Sequence, residues 1–554
     1  MITFHCPQCG AEYEVDDSLA GRRVECSDCG LHFAVDAAII VAADAPTAPA
    51  AEQEPPPDAA RIDRAPSGCI VCPHCWKRFD YKDINYIARH VDLIGDPVLG
   101  PDAKQRFLPI RFSARGMAID AKGMECPEMA CPHCHLPIPE SMLELPTSIF
   151  SIVGEQGTGK SYFLTTMIWN IRKLLPKYFE FNIHDVDSTF NATLNEYEKI
   201  LFMSDHPDRI VALPKTGEQG SGFTDEILMD GFPVQLPKPF IFAINPMSGH
   251  PRYETGRKEL ERNIILYDNA GELFRPGGET VTNLGTNHLS FSDGIIFIYD
   301  PLMDNRMQNI CDQNDPQLRQ QTCNQLALFH EMAARIRKFS GLQSAEKYRR
   351  PLIVAIAKFD VLAENMGMYP EISDYLEYDA EKFEYSLNIQ NITNVSFMLR
   401  EQLLEIAPEF VAAVEGFSET VYFVPVSAFG CSPEVMKDGG GALGIVPDKI
   451  KPFWTEVPFL LHLYLHGMIP GVTTQPKGAI PIEHCKFTQD TIVFAFPGSG
   501  RRCELPSIYW GMSLYCKADQ KYYTLPVPGD GREARSFKAA GLDEQIDVDF
   551  WNRE

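Results

Sequence analysis

Residues 149–161 read Ile-Phe-Ser-Ile-Val-Gly-Glu-Gln-Gly-Thr-Gly-Lys-Ser, and the fold is decided here. Ile149–Val153 is a strand-length apolar run, and an amphipathic helical pattern follows the turn through about Leu175. The turn itself matches G-x-x-x-x-G-K-[ST], and a strand before it with a helix after it is the setting in which that motif cradles phosphate. Gly154, Gly157 and Gly159 let backbone N–H groups curl around oxyanions, with Thr158 between them. Lys160 is expected to reach β- and γ-phosphate oxygens, and the Ser161 hydroxyl to bind Mg²⁺. The following helix adds the positive end of its dipole.

Three further segments lie downstream in a telling order. Asn263-Ile-Ile-Leu-Tyr-Asp268-Asn-Ala-Gly271-Glu272 is an apolar strand ending in a carboxylate. Asp268 at a strand's carboxyl end can hold Mg²⁺ through water, and the Gly271 N–H can meet a γ-phosphate. Ile356-Ala-Lys358-Phe-Asp360 closes another strand, and Val424-Pro-Val-Ser427-Ala428-Phe429 a third. Asp360 can accept from guanine N1–H and N2–H₂, Lys358 can lie along the base, and the Ala428 N–H can meet O6.

Other apolar runs at Phe240–Ile244, Gly294–Tyr299, Leu352–Ala357 and Val421–Val426 read as strands. Helical patterns such as Gln317–Phe339 and Ser396–Glu415 alternate with several of them. Buried strands alternating with helices predict an α/β fold with a doubly wound, mostly parallel sheet.

Upstream, Cys6-Pro-Gln-Cys9 and Cys26-Ser-Asp-Cys29 have the spacing of a four-cysteine zinc ribbon, with Gly10 and Gly30 after each pair to allow a left-handed backbone. Cys72-Pro-His-Cys75 and Cys131-Pro-His-Cys134 read as halves of a second Zn²⁺ site split by a long insert. Cys69, Cys126, His74, His133 and His135 are nearby spare ligands, so the pairing is open to redistribution. Cys311, Cys323, Cys431, Cys485, Cys503 and Cys516 read as free thiols. The resulting scheme is a zinc ribbon at 1–36, an Ala/Pro-rich tether at 37–67 and a split zinc-binding domain at 68–146. The nucleotide domain follows at 147–470, and a small β-rich appendage at 471–554.

The 554-residue chain carries 75 acidic against 50 basic residues, a formal net charge of −25. That field repels nucleic acid and anionic membrane, and points to protein partners. The ribbon, with Arg22 and Arg23 against seven acidic residues, lacks a DNA reader's basic footprint. No signal peptide is visible at the start, and the longest apolar runs fall far below the roughly 18 residues that span a bilayer. A cytoplasmic protein is expected, and in a reducing compartment Cys-x-x-Cys pairs read as metal sites.

The glycine-rich loop, D-x-x-G at Asp268, K-x-D at Lys358 and Ser427-Ala428, in that order, resemble the TRAFAC-class P-loop GTPases over roughly residues 148–465. Within that class the chain looks most like the bacterial double-GTPase group, through its cysteine pairs before the loop, Asp-Asn-Ala-Gly-Glu at 268–272, and the strand-then-Asp-Pro of Ile295–Pro301. The resemblance implies a GTP- and Mg²⁺-dependent switch in a multi-gene bacterial defence or conflict system, with a second GTPase encoded nearby among its partners. It also implies a switch threonine between the first helix and Asp268, for which Thr216 is the choice and Thr224 the alternative. Two departures stand out. Ala357 replaces the family's Asn or Thr, which loosens base selectivity. Glu272 stands where many relatives orient water with Gln, so slow hydrolysis is expected. The alternatives are a P-loop ATPase or kinase, for which no suitable arginine cluster is evident, and a nucleotide-bound scaffold without turnover.

Overall fold

A computed structural model describes residues 69–214, 231–269, 287–309, 324–343, 345–366, 384–436, 442–472 and 491–506, together with shorter stretches elsewhere. Met1–Pro57 and Asp58–Glu554 form two separate compact units. In the first, Ile2–His5 pairs with Glu12–Val15 and Arg23–Glu25 with His32–Ala34, both antiparallel. Cys6, Cys9, Cys26 and Cys29 lie outside the described residues.

The second unit is built on a seven-stranded sheet: β1 (Thr147–Gly154), β2 (Phe181–Asp185), β3 (Phe240–Pro246), β4 (Arg262–Asp268), β5 (Gly294–Tyr299), β6 (Leu352–Ile356) and β7 (Val421–Pro425). Their spatial order is β2-β3-β4-β1-β5-β6-β7. The four pairings from β4 to β7 are parallel, and β2 and β3 form an antiparallel edge. The mixed α/β architecture with a mostly parallel sheet is thus present. The central strand β5 shows why. Ile295, Ile296, Phe297 and Ile298 are all fully buried, so both faces must be covered, which parallel strands with crossover helices achieve. Burying such side chains stabilises by about 1.5–3 kcal/mol each.

The cover differs across the sheet. Along β4, Ile264 and Leu266 join the core beneath helix α1 (Lys160–Tyr178). Ile265 and Tyr267, pointing the other way, pack with Cys72, Cys75, Trp76, Cys131 and Cys134, and with Ile227, Val234 and Leu236 of the hairpin Thr224–Met229/Phe232–Pro237. On this part of the second face the cysteine-bearing module and a hairpin stand where a crossover helix was expected.

Other departures from the sequence pattern have local causes. The helical pattern expected over Ser396–Glu415 divides into α2 (Ile389–Ile406) and α3 (Pro408–Phe417), because Pro408 has no N–H to continue the first helix but suits the first turn of the next. The pattern from Gln317 becomes a 3₁₀ turn at Pro316–Arg319 and a helix at Gln325–Ser340 capped by the Asn324 carboxamide. Edge strand β2 is unanticipated. Its Phe181 and Ile183 are buried while Asn182 and His184 are exposed, the alternation of a half-buried antiparallel strand. Beyond residue 471, two three-stranded sheets occur, one of them (Cys485–Phe487, Thr491–Ala495, Arg502–Pro506) around Ile492, Phe494 and Leu505. Among the described residues no helix is long and apolar enough to cross a membrane.

Candidate functional site

The glycine-rich loop joins β1 to α1 at the carboxyl edge of the sheet. Gly157 and Gly159 have φ of 85° and 86°, left-handed values that L side chains rarely adopt. Gly154 is required for a different reason. A Cβ there would lie 3.0 Å from both the Cβ and the carbonyl oxygen of Ile298 on β5, so a side chain would force the two strands apart. Thr158 is buried and its hydroxyl donates to the Glu155 carbonyl at 2.9 Å, closing the loop on itself. Lys160 reaches back over the loop, its ammonium 2.9 Å from the Gly154 carbonyl and 2.8 Å from that of Glu155. The charge is thereby held against the glycine-rich loop, where it can attract an anionic ligand.

Strand register brings the second element to this loop. Ile152 on β1 is paired with Asp268 on β4, placing the carboxylate beside the start of α1. The Ser161 hydroxyl donates to Asp268 Oδ2 at 3.0 Å, while Oδ1 is buried without a hydrogen-bond partner among the described residues. Burial pushes the Asp268 carboxyl above the usual carboxylate range, against the pull of the Lys160 ammonium and the Ser161 hydroxyl. A hydroxyl and a carboxylate with one oxygen unpartnered among the described residues, beside the glycine-rich loop, form a donor set that suits Mg²⁺, a hard cation taking oxygen ligands.

The third and fourth elements meet at the ends of β6 and β7. The Ser427 hydroxyl donates to Asp360 Oδ1 at 2.5 Å and accepts from the Gly430 N–H at 2.8 Å, so it both orients the acid and braces its own loop. Burial raises the Asp360 carboxyl, and the Ser427 hydrogen bond opposes that rise. Ala428, half-buried, follows Ser427 in the same turn. Lys358 has an unusual φ of 52°, and its ammonium lies 3.4 Å from the Gly157 carbonyl. Ala357 has no side chain with which to tie the two loops together, and the neighbouring lysine makes that connection.

Asp300, one residue beyond β5, belongs to this site although the sequence reading used it only as a family cue. Its carboxylate is 2.6 Å from Lys358 Nζ and is fully buried. Its backbone is clamped by the Gln325 carboxamide, which accepts from the Asp300 N–H and donates to the Asp300 carbonyl, both at 2.8 Å. Burial raises the Asp300 carboxyl, opposed by Lys358. A strand-final Asp between two motif-bearing strands was the available signal. Asp315, buried and accepting from the Ser432 hydroxyl, adds a further acid near Asp360. Thr216, Gly271 and Glu272 lie outside the described residues, and Thr224 begins a hairpin strand.

The four sulfurs of Cys72, Cys75, Cys131 and Cys134 all lie within 4.8 Å of one another, and all four residues are buried. The Cys72–Cys134 and Cys75–Cys131 separations are 3.6 and 3.8 Å. Four sulfurs at about 2.3 Å from a tetrahedral zinc would be roughly 3.8 Å apart. The residues therefore fit Zn²⁺.

The two knuckles share one construction. The His74 N–H donates to Cys72 Sγ and the His133 N–H to Cys131 Sγ, each at 3.4 Å. Trp76 and His135, the residues after each pair, take left-handed φ of 56° and 60°. Three of the spare ligands are engaged elsewhere: His74 Nε2 meets the Pro137 carbonyl, His135 Nδ1 the Asp96 carboxylate, and Cys126 donates to Asp120.

No protein-family model matches this sequence, and no curated protein matches it. Among solved structures, the chain is similar to the S. cerevisiae Ski7 GTPase-like domain bound to GTP, at 15% identity and a TM-score of 0.24. The same domain bound to GDP and inorganic phosphate gives 13% identity and a TM-score of 0.25. Each overlap covers 67% of this chain and 60% of that one. An overlap this loose does not bear on the chemistry of the site.

Proposed function

We propose that this chain is a P-loop GTPase: it binds GTP with Mg²⁺ in the Gly154–Ser161 cradle, hydrolyses it slowly, and acts as a switch on protein partners in the cytoplasm. The observation that supports this reading most is the 3.0 Å contact of Ser161 with Asp268, whose second oxygen is buried and, among the described residues, unpartnered beside the Lys160-capped loop. Mg²⁺ bound there would neutralise phosphate charge. The chain's own residues supply the rest. Loop amides and Lys160 bind the phosphates, Ser161 and Asp268 hold the cation's shell, and Asp360, oriented by Ser427, accepts from the guanine edge. Lys358, fixed by Asp300 and the Gly157 carbonyl, keeps base loop and phosphate loop in register.

Glu272 and Thr216 are the residues we assign to water positioning and to the cation's remaining shell. A bacterial double-GTPase affiliation, with a second GTPase encoded nearby as a partner, completes the proposal. The test is to purify the full chain, identify the nucleotide and metals that come with it, and compete GTP against ATP. A guanine nucleotide on the protein and clear preference for GTP are expected. Recovery of adenine nucleotide, or no triphosphate binding after loading with Mg²⁺, would overturn the reading.

A further inference from the structure

We infer that the four-cysteine site is a positioning element for the Mg²⁺-binding end of β4, with Tyr267 as the positioning residue. This rests on the reading of Asp268 as a Mg²⁺ ligand. The connection is short and entirely buried. Trp76 follows Cys75 directly, and its indole N–H donates to the Tyr267 hydroxyl at 3.1 Å. That hydroxyl in turn donates to the carbonyl of Pro73, the residue between Cys72 and His74. The Tyr267, Trp76 and His288 rings pack on one another in a triangle, with Tyr267 6.2 Å from Trp76 and 4.4 Å from His288, and Trp76 5.5 Å from His288, centroid to centroid.

The placement of the hydroxyl argues for a role beyond filling space. The preceding residues of β4 are Ile264, Ile265 and Leu266, and an aliphatic residue would satisfy an apolar face without further demands. A buried hydroxyl costs stability unless both its hydrogen bonds are made. Here both are made to the metal knuckle, whose left-handed Trp76 backbone is held in turn by the Trp76 N–H to Cys72 carbonyl bond at 3.1 Å. Successive strand residues point to opposite faces. Anchoring Tyr267 on one face therefore fixes how far Asp268 is presented on the other, where Ser161 meets it. If zinc shapes the knuckle and the knuckle holds β4, then Zn²⁺ affinity and Mg²⁺–nucleotide affinity are coupled, and the coupling is reciprocal.

The experiment uses the full chain carrying Cys9→Ser, so that zinc exchange reports the buried site. Zinc affinity is measured by equilibrium competition with a zinc-selective chelator, with and without Mg²⁺ and a non-hydrolysable GTP analogue. Direct binding of the analogue is measured in parallel. The ligand should tighten zinc binding about fivefold or more, the lower end of ordinary coupling between sites. Tyr267→Phe keeps the ring and loses the hydroxyl. It should bind one zinc and bind the analogue without Mg²⁺ normally, yet lose both the tightening and a similar factor in Mg²⁺ affinity. Trp76→Phe, which removes the indole donor, should behave alike and serves if Tyr267→Phe does not fold. A purely structural tyrosine would lower the melting temperature and leave the coupling intact. Wild type that binds Mg²⁺ and the analogue while its zinc affinity stays unchanged overturns the inference alone. Wild type that binds no analogue overturns the nucleotide reading and this inference with it.

Discussion

Lys358 Nζ lies 2.6 Å from Asp300 Oδ2, in an ion pair whose side chains are 15% and 0% exposed, between the ends of two adjacent parallel strands. The pair joins a residue of the expected base-reading motif to one that the sequence offered only as part of a strand-then-Asp-Pro cue. Asp300→Ala takes the carboxylate from a part-buried ammonium that keeps its 3.4 Å contact with the Gly157 carbonyl, and losing such a partly exposed pair costs about 1 kcal/mol or less. Denaturant unfolding should show a loss of that order. With Lys358 released from its anchor, the preference for GTP over ATP should shrink, as competition binding would show.

Asp268 offers a test of sign. Its folded carboxyl is raised by burial, so the protonated form is favoured in the fold. The apo protein should be more stable below the unfolded carboxylate pKa, and lose that contribution as pH rises through the raised folded value. Asp268→Asn should therefore match or exceed wild-type apo stability at neutral pH, by on the order of 1 kcal/mol, while losing Mg²⁺-dependent triphosphate binding. Melting curves across pH, with and without Mg²⁺ and GTP, would show both effects; a much less stable apo variant would contradict this account.

Base choice rests on Asp360. A carboxylate accepting from N1–H and N2–H₂ finds no matching donors on adenine, and a buried acceptor left unpaired costs roughly 1–3 kcal/mol or more when charged. Asp360→Asn should lose GTP and gain xanthosine triphosphate, whose carbonyl at position 2 accepts from the new amide. Ser427→Ala should weaken GTP less, because the acid remains and only its orientation by the 2.5 Å hydrogen bond is lost. Equal GTP and ATP affinity in both variants and wild type would end the guanine assignment.

At the cysteine site, Cys131→Ser should lower the zinc content by one per chain. It should also destabilise Asp58–Glu554, because structural zinc contributes folding energy directly. His74→Ala and His133→Ala should retain the metal, since His74 Nε2 meets the Pro137 carbonyl and His133 Nε2 the Arg78 carbonyl. Metal analysis decides between this set and a redistributed one.

Local backbone demands were readable in the chain itself. Glycine at 157 and 159 answers left-handed φ values, and Ile295–Ile298 is an apolar run because β5 is covered on both faces. The strand-final carboxylates Asp268 and Asp360, and the two Cys-Pro-His-Cys knuckles, are equally local, since each depends on residues within a few positions. The rest is set by pairing between distant segments. Trp76 meets Tyr267 across 191 positions, and Lys358 meets Gly157 across 201. No periodicity records such distances. The antiparallel β2–β3 edge, the cysteine module lying against β4, and Asp300 beneath Lys358 follow from which buried faces complement each other once the strands have found their register. That is a property of packing, decided only when the whole sheet is assembled.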